Sequence, residues 1–505
     1  MSDSPDAAAQ LRLACVAATE RLADALAVLG FREQENRAGT WVGRITNPTD
    51  GAGTVVAVTI PAEYPFQRPR VSPLDQQAAE ASMGSSQAPY HQVGNSWHRE
   101  RHGELCLFDD ADHTQLPWAD PAALIDQIQK WLSADRNGWP DDDLMLDLER
   151  YLPRTGQLIL VENDLLSRIG RIYHLERSPQ VLGRVLGARD HRPRNHNWRW
   201  RDDLALVLDF GHITLPITDW ESLLVAAGDQ ADRLRRDVFD GLRELIVCYR
   251  RGEHAGALGL SLLPADGSVM VQGHIIAQNT EESRVRRSHP DATQLGSRRV
   301  AVVGLGAVGS VVADLLHRSG VGTLHLVDPD IVLPGNPVRH LVDARQVGRT
   351  KIDAVADQLS RRRSPACTVD TSFEAIVTLD QAVQLLTGFH LVVDATADST
   401  ASAVLAAAAD AGAGRLVSVA ILADGYAIRI DHRPVPLGSD PLPEPRLPPP
   451  VSGSVEIGCS SPVSTTPPAA VWEAAAMAVR HTIDALLELP CPAGEERVLR
   501  PQVAS

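Results

Sequence analysis

Three glycines in the C-terminal half of the chain have the spacing of a phosphate-binding turn. Gly304, Gly306 and Gly309 follow a strand-like segment and open a helix-like one. Asp328 lies nineteen residues beyond Gly309. Glycines allow a tight turn and a close approach of backbone to phosphate, a helix N-terminus favours negative charge, and an acid accepts hydrogen bonds from ribose hydroxyls. The pattern predicts a nucleotide site that fits NAD and ATP equally.

Charged and polar residues follow the glycine turn in a fixed order. After Asp328, which begins the segment DPDIV, they are Asp330, Asn336, Arg339 and Lys351. With an aspartate-rich strand end further on, this order resembles the ThiF/MoeB and ubiquitin-activating family over residues 297–490. The resemblance implies an adenylating domain, in which cations neutralise the charge that develops on the phosphates as a carboxylate attacks.

The resemblance also implies roles for single residues. Asp328 would bind ribose, Arg339 and Lys351 would hold the triphosphate of ATP, and a later aspartate would hold Mg²⁺. The family pattern DxTDN is one residue longer here, so Asp398 is the predicted metal ligand and Asp394 the alternative. Asp398 could instead be a structural cap. The family's arginine ahead of the first strand has three candidates, which are Arg284, Arg286 and Arg287.

Cys459 is the first of two cysteines predicted to carry an acyl group. It lies in the segment GCSSP, after a proline-rich stretch at residues 433–456 and before the last helix-like segment. Activating enzymes that form thioesters carry their nucleophile at this place, and such a thiol must be accessible and partly ionised. The sequence has no CxxC pair, unlike most sulfur-carrier members of the family, which favours thioester transfer.

Cys106 is the second predicted thioester cysteine. It follows the segment YPFQRP, lies in GELCLF and precedes Trp118. In this order, residues 7–140 resemble a ubiquitin-conjugating domain. The family's HPN tripeptide is absent, and His98 stands eight residues before the cysteine, where its asparagine would lie. His98 could donate a hydrogen bond to an oxyanion, help take the proton of an attacking lysine, or be a loop residue.

The other four cysteines are predicted to be structural. Cys15 and Cys248 lie on apolar patterns with helical spacing, Cys367 borders a strand, and Cys491 lies between two prolines.

The elements around these residues predict an α/β protein of three domains within 505 residues. Residues 1–150 would form an α+β conjugating-like domain, with helices at 7–30 and 120–133 and strands at 41–47 and 54–66. Residues 151–290 would be a mixed α/β linker or inactive adenylation-like domain, with strands at 158–162 and 204–210 and a helix over 236–252. We assign no chemistry to this region. Residues 291–505 alternate strand and helix, which is typical of a doubly wound, Rossmann-like sheet.

The composition of the chain restricts the classes of partner that it can bind. A net charge of −16 argues against binding nucleic acid in general, and neither a signal peptide pattern nor eighteen uninterrupted apolar residues is found, so a cytoplasmic protein without a membrane partner is expected. Of 48 lysines and arginines, only Lys130 and Lys351 are lysines. Coding bias and avoidance of self-modification both explain that scarcity.

The order of the two resemblances is similar to that of fused enzymes of bacterial ubiquitin-like modification, particularly in CBASS antiphage operons. It implies adenylation of a partner protein's C-terminal carboxylate, a thioester on Cys459, transfer to Cys106 and conjugation to a target lysine. The partner would be the operon's nucleotidyltransferase or a ubiquitin-like protein, and the adenylation domains would form a homodimer. Two alternatives are a nucleotide-sensing scaffold with inert cysteines and a sulfur-carrier adenylyltransferase.

Overall fold

The computed structural model of the protein divides into two compact units, residues 1–279 and 280–505. It describes residues 7–46, 51–84, 88–100, 103–108, 115–139, 146–162, 164–177, 183–191, 199–265, 267–362, 365–448 and 464–499. Within these ranges, no helix is both long and apolar enough to cross a membrane. The predicted division of the first unit at residue 150 stays a prediction.

The first unit begins with a four-stranded antiparallel sheet covered by helices. The elements are α1 (Ala7–Val28), β1 (Arg32–Glu33), β2 (Thr40–Thr46), β3 (Gly53–Thr59), β4 (Arg70–Pro73), α2 (Gln76–Met83) and α3 (Pro121–Arg136), with the strands in sequence order. Leu22 and Leu26 of α1 and Ile128 of α3 are fully buried in the core beside the sheet. Asp120 caps α3 by accepting a hydrogen bond from the backbone nitrogen of Ala122, as the sequence predicts.

A closed barrel of seven strands completes the first unit. Its strands are β5 (Arg154–Val161), β6 (Ile172–Arg177), β7 (Gly183–Asp190), β8 (Leu204–His212), β9 (Glu244–Arg251), β10 (His254–Ala265) and β11 (Ser268–Gln278). They close in the order β10-β11-β5-β7-β6-β8-β9. Two helices, α4 (Trp220–Ala227) and α5 (Ala231–Phe239), connect β8 to β9.

The helix predicted over residues 236–252 is wrong in its second half. Helix α5 ends at Phe239, and β9 takes up the apolar run that follows. Six consecutive residues of β9 from Glu244 are buried, so the strand has no alternating pattern to distinguish it from a helix. Cys248 therefore lies on a central barrel strand and not on a helix.

The second unit contains a seven-stranded sheet with helices on its faces. Its elements are α6 (Glu281–Ser288), α7 (Ala292–Leu295), β12 (Arg299–Val303), α8 (Ala307–Arg318), β13 (Thr323–Val327), α9 (Lys351–Ser360), β14 (Thr368–Ser372), α10 (Leu379–Gly388), β15 (Leu391–Asp394), α11 (Ser399–Asp410), β16 (Leu416–Leu422), β17 (Ala427–Arg433), α12 (Pro468–Leu486) and β18 (Gly494–Val498). The order is β14-β13-β12-β15-β16-β17-β18. The first five strands are parallel, β17 pairs antiparallel with β16, and β18 pairs antiparallel with β17. This confirms the predicted doubly wound, Rossmann-like sheet.

Candidate functional site

The glycine turn lies at the carboxyl end of β12, where backbone packing explains two of its glycines. A Cβ on Gly304, whose φ is +84°, would lie 2.6 Å from the Cα of Thr396, and one on Gly309 would lie 1.8 Å from the carbonyl oxygen of Gly304. A Cβ on Gly306 would meet nothing within 4 Å. The turn is therefore tightly packed on one side and open at Gly306, where a phosphate group can approach the backbone.

Asp328 holds this turn from the end of the neighbouring strand β13. One oxygen of its carboxylate accepts a hydrogen bond from the backbone nitrogen of Leu305 at 2.6 Å, and the other accepts one from Asp330 at 2.8 Å. The residue is 3% exposed. Its carboxylate fixes the relative position of the two loops that border the site, which is a structural role beside the predicted binding of ribose.

Lys351 is brought to the same place by a short antiparallel bridge between Ile331 and Thr350. Its Nζ lies 2.7 Å from a carboxylate oxygen of Asp330 and 3.9 Å from one of Asp328. The lysine side chain is 13% exposed. The structure thus brings together the two acids and the lysine that the sequence predicts for the nucleotide site.

Arg339 follows a turn that Asn336 stabilises. The side-chain oxygen of Asn336 accepts a hydrogen bond from the backbone nitrogen of Leu333, so this residue shapes the loop. The guanidinium of Arg339 donates to the backbone oxygens of Ser464 at 2.9 Å and Thr466 at 3.5 Å. Arg339 therefore joins the loop after β13 to the segment that leads into α12.

His340 is a buried residue of this region that was not among those predicted from the sequence. Burial, followed by the nearby cations Lys351 and Arg339, lowers the pKa of its imidazole to about 4, so the ring is neutral at physiological pH. Within the described part of the chain, its buried Nδ1 has no hydrogen-bond partner. Its position directly after Arg339 was the only signal available.

The two candidate metal ligands have different surroundings. Asp394, at the end of β15, is 3% exposed, and its oxygens accept hydrogen bonds from Thr396 and from the hydroxyl of Ser402 at 2.6 Å. Asp398 is exposed and caps α11 through one oxygen, Oδ1, which accepts from the backbone nitrogens of Thr400 and Ala401. Asp398 therefore has the helix-capping role that the sequence left open. Both capping bonds use the same carboxylate oxygen, Oδ1.

Magnesium would fit this region as an ion shared with a bound nucleotide. The described residues contain no group of three or more His, Cys, Asp or Glu side chains that could hold a metal. Mg²⁺ commonly takes one or two carboxylates and completes its shell with phosphate oxygens and water. Asp398, as an exposed carboxylate beside the loop that packs on Gly304, suits that arrangement.

The three arginines ahead of β12 all lie on α6. Arg284 pairs with Glu281 at 2.9 Å, Arg286 pairs with Glu282, and Arg287 donates to the backbone oxygen of Ser283. All three contacts lie within α6. They therefore do not distinguish which of the three arginines would contact a phosphate.

Cys459 lies outside the described residues. Of the other thiols, Cys248 is buried on β9, and burial raises its pKa to about 12. Cys367 lies directly before β14, as predicted, and burial raises its pKa to about 11. Thiols that titrate so high are almost fully protonated at neutral pH, which fits the predicted structural role of both.

Cys106 lies on one side of a narrow hairpin whose other side holds His98. The backbone nitrogen of Cys106 donates to the carbonyl oxygen of His98 at 2.8 Å, and Arg99 pairs with Leu105 in an antiparallel bridge. The guanidinium of Arg99 donates to the carbonyl oxygens of Gly103 and Gly94, which ties the hairpin to the segment that precedes it. The hairpin therefore fixes the cysteine and the histidine opposite each other.

The YPF segment and Trp118 interlock beside this hairpin. Tyr64 is fully buried, and its hydroxyl donates to the carbonyl oxygen of Trp118 at 2.9 Å. The indole nitrogen of Trp118 donates in return to the carbonyl oxygen of Pro65 at 2.6 Å. Arg68 donates to the carbonyl oxygen of Phe108 at 3.1 Å. The segments on which the conjugating-domain resemblance depends thus lie together around Cys106, and the resemblance itself stays a prediction.

The barrel holds the other end of the Cys106 loop. The side chain of Asn95 donates to the carbonyl oxygen of Pro216 at 2.7 Å, and the indole of Trp97 donates to that of Thr214 at 2.9 Å. Trp97 belongs to the barrel's hydrophobic core cluster, and the guanidinium of Arg251 lies 3.6 Å from the centre of its ring. The middle region, which the sequence linked to no chemistry, therefore supports the loop that carries the predicted nucleophile.

His98 is held mainly through its backbone and ring. Its φ is +54°, its nitrogen donates to the hydroxyl of Tyr151 at 3.1 Å, and its carbonyl oxygen accepts from the indole of Trp131 at 2.9 Å. The imidazole lies 4.5 Å from the ring of Trp139, centre to centre. A positive φ in a residue with a Cβ is sustained only by surrounding contacts, so these bonds fix the histidine in an unusual conformation.

Arg150 is the second residue that the sequence did not select. Its Nη2 lies 3.9 Å from the sulfur of Cys106 and 3.4 Å from a carboxylate oxygen of Glu100. Burial raises the pKa of the Cys106 thiol, and the charge of Arg150 is the largest influence in the opposite direction. The thiol therefore has a cation at the sulfur, a favourable feature for a nucleophile that must ionise.

Comparison with known proteins identifies part of the second unit. Residues 283–460 match the model of the ThiF family. The ATP-dependent ubiquitin transferase-like protein Cap2 of Vibrio cholerae is 33% identical over 131 residues, which cover 24% of this chain and 21% of that protein. Ubiquitin-like modifier-activating enzyme 5 of Bombyx mori is 41% identical over 87 residues, which cover 17% of this chain and 22% of that protein.

The chain spans about a fifth of the length of the curated relatives it matches. A crystal structure of PaaA is 21% identical with a TM-score of 0.34, over 43% of this chain and 66% of that one. The glycine turn, Asp328 and Lys351 all fall inside the matched residues 283–460. The chain therefore carries a ThiF-family domain and is related in sequence to ubiquitin-like modifier-activating enzymes.

Proposed function

We propose that the second unit uses ATP to adenylate the C-terminal carboxylate of a partner protein. The observation that carries this proposal is the position of Lys351, 2.7 Å from Asp330 and next to Asp328 at the open glycine turn. A carboxylate oxygen of the partner attacks the α-phosphorus, a P–O bond forms, and the bond to pyrophosphate breaks with its electron pair on the leaving group. Lys351 and Arg339 would neutralise the charge on the phosphates in this step.

Magnesium, when bound, would supply further positive charge to the phosphates, and Asp398 is the residue proposed to hold it. The backbone at Gly306 would accept the phosphate chain, and Asp328 would orient the ribose. His340, with a neutral ring beside the two cations, adds no charge of its own to this surface.

The acyl group would next move to Cys459. Its thiolate attacks the acyl-adenylate carbonyl, a C–S bond forms, and AMP leaves with the electron pair of the broken C–O bond. Cys459 lies five residues before Ser464, whose carbonyl oxygen binds Arg339. Five residues span at most about 18 Å, and this short tether to a residue of the proposed nucleotide site supports the assignment.

Cys106 would then receive the acyl group and pass it to a target lysine. In the exchange, the sulfur of Cys106 bonds to the carbonyl carbon and the sulfur of Cys459 leaves and takes up a proton. In the last step, a lysine amine attacks, loses a proton to solvent or a base, and the sulfur of Cys106 leaves. The hairpin that holds the thiol, the interlock of the YPF segment with Trp118 beside it and the cation at the sulfur support this role.

The partner is proposed to be either a nucleotidyltransferase from a CBASS antiphage operon or a ubiquitin-like protein, with a glycine-like free C-terminus. The similarity to Cap2 of Vibrio cholerae, an ATP-dependent ubiquitin transferase-like protein, supports ubiquitin-like conjugation in bacteria. A homodimer of the adenylation domain is expected from the family, and its test is the mass of the protein in solution.

The test follows the acyl group through the two cysteines. Wild type, Cys459→Ala, Cys106→Ala and the control Cys491→Ala are incubated with ATP, magnesium and each candidate partner, and reducible adducts are mapped by mass spectrometry. The expected result is adduct on both cysteines in wild type and in the control, on Cys459 alone in Cys106→Ala, and on neither in Cys459→Ala. Normal charging of Cys106 without Cys459 would contradict the relay.

Exchange between ATP and labelled pyrophosphate separates the proposal from its two alternatives. Adenylation predicts exchange that depends on the partner, whereas a nucleotide-sensing scaffold predicts none. A sulfur-carrier adenylyltransferase would also exchange pyrophosphate, but its product would be a thiocarboxylate that requires a sulfur donor. Intact mass of the partner after reaction distinguishes that product from a lysine conjugate.

A further inference from the structure

Arg150 lies outside every sequence motif of the proposed thioester site, yet it touches the reacting atom. Its Nη2 lies 3.9 Å from the sulfur of Cys106, and its side chain is 15% exposed. It belongs to a short 3-10 turn, Leu148–Tyr151, that leads into the barrel. The residues that flank it anchor this turn, since Leu148 and Tyr151 are buried in the barrel's core cluster. The cation is therefore presented to the sulfur by a fixed piece of backbone.

We propose that Arg150 is the catalytic cation of Cys106, which stabilises the thiolate each time the sulfur attacks and each time it leaves. This inference rests on the proposed function of Cys106 as a thioester carrier. In both steps the sulfur bears negative charge: as it begins to bond to the carbonyl carbon, and again as the C–S bond breaks when the lysine nitrogen takes the acyl group. A guanidinium keeps its protons throughout, so Arg150 supplies charge and exchanges no proton.

Neighbouring charges set the strength of this effect. Glu100 lies 3.4 Å from Arg150 and 3.5 Å from Arg68, and Asp147 lies 3.5 Å from Arg150. These contacts orient the guanidinium, while the charge of Glu100 itself opposes ionisation of the thiol. Each charged residue therefore affects ionisation of the thiol in a defined direction: Arg150 and Arg68 favour the thiolate, and Glu100 disfavours it.

The direction of each residue's effect on the reactivity of Cys106 can be measured without any partner protein. Full-length wild type and the variants Arg150→Gln, Arg150→Lys, Arg68→Gln and Glu100→Gln are alkylated with iodoacetamide between pH 6 and 10, and the Cys106 peptide is quantified by mass spectrometry. At pH 8, we expect about tenfold slower alkylation in Arg150→Gln, a smaller loss of about twofold in Arg68→Gln, and alkylation about threefold faster in Glu100→Gln. Arg150→Lys keeps a charge and should lie between wild type and Arg150→Gln.

Opposite shifts in variants of one cluster cannot result from loosening of the fold, which would expose the thiol in all of them. The inference is overturned if the pH profile of Arg150→Gln coincides with that of wild type, or if Glu100→Gln shifts the profile in the same direction as Arg150→Gln. A second measurement follows the discharge of Cys106 thioester to free lysine, which we expect to be about tenfold slower in Arg150→Gln. If no partner charges Cys106 even in wild type, the proposed function fails, while the alkylation profiles still decide the role of Arg150.

Discussion

The two candidate sites are built from the chain in different ways. Most of the nucleotide site, namely its glycine turn, Asp328, Asp330 and Lys351, comes from residues 304–351, and parallel strands bring these residues to one edge of a sheet. The thiol site combines Tyr64, the hairpin around Cys106, Trp118 and Arg150 with a barrel that begins only after them. A site assembled mainly from one stretch of sequence should depend less on distant parts of the fold than a site assembled over long separations.

The largest expected effect comes from removing the barrel's contact with the Cys106 loop. Trp97 is 6% exposed, and Trp97→Ala should lower the free energy of unfolding of the first unit by about 3 to 5 kcal/mol, because it leaves a cavity in the hydrophobic cluster that Trp97 shares with the barrel strands and helices α4 and α5. Urea unfolding followed by alkylation of Cys106 measures both the loss and the exposure of the thiol.

Trp472→Ala is the matched control, since that tryptophan is 43% exposed in the second unit. Its stability should change by less than about 1 kcal/mol. Pyrophosphate exchange should stay unchanged in Trp97→Ala. A parallel loss of exchange would show that the two sites are not independent.

The next effect is on adenylation. Lys351→Ala should reduce partner-dependent pyrophosphate exchange about 100-fold, because the charge on the phosphates loses a fixed cation. Lys130, the other lysine of the chain, is 67% exposed and pairs with Asp126 within α3, so Lys130→Ala should keep the wild-type rate. Equal exchange rates in the two variants would contradict a role of Lys351 in binding the phosphates. Alkylation of Cys106 should be normal in both.

The smallest effect separates the two roles of Asp398. Asparagine caps helices as well as aspartate does, so Asp398→Asn should keep the melting temperature and raise the Mg²⁺ concentration needed for half-maximal exchange about tenfold. Asp398→Ala should add a loss of about 1 kcal/mol in stability. A normal Mg²⁺ requirement in Asp398→Asn would leave this residue as a cap alone and make Asp394 the metal ligand to test.

The sequence was most informative where backbone geometry restricts the choice of residue. Gly304 and Gly309 are required by contacts of 2.6 and 1.8 Å that any Cβ would make, and Asp328 is tied to the turn by two hydrogen bonds. Because these positions accept few residue types, the spacing of the glycines and the aspartate is recognisable in the sequence. The alternation of strands and helices in the second unit was equally legible, because each βαβ step is local.

The barrel and Arg150 could not be predicted for the opposite reason. Closure of the barrel pairs β10 with β9 and β11 but also β5 with β11, which are separated by about a hundred residues, and no local pattern records such pairing. Arg150 reaches Cys106 across 44 positions of sequence. His340 lies next to a predicted arginine but was not predicted itself, because its burial is not visible in the sequence.

The anchoring of the Cys106 loop on the barrel affects how this protein can be divided or recombined. Asn95 and Trp97 are bound by the carbonyl oxygens of Pro216 and Thr214, so a fragment that stops near residue 150 would lose both acceptors and expose an indole that is now buried. We therefore expect residues 1–279, and not residues 1–150, to keep the thiol geometry when moved into another chain.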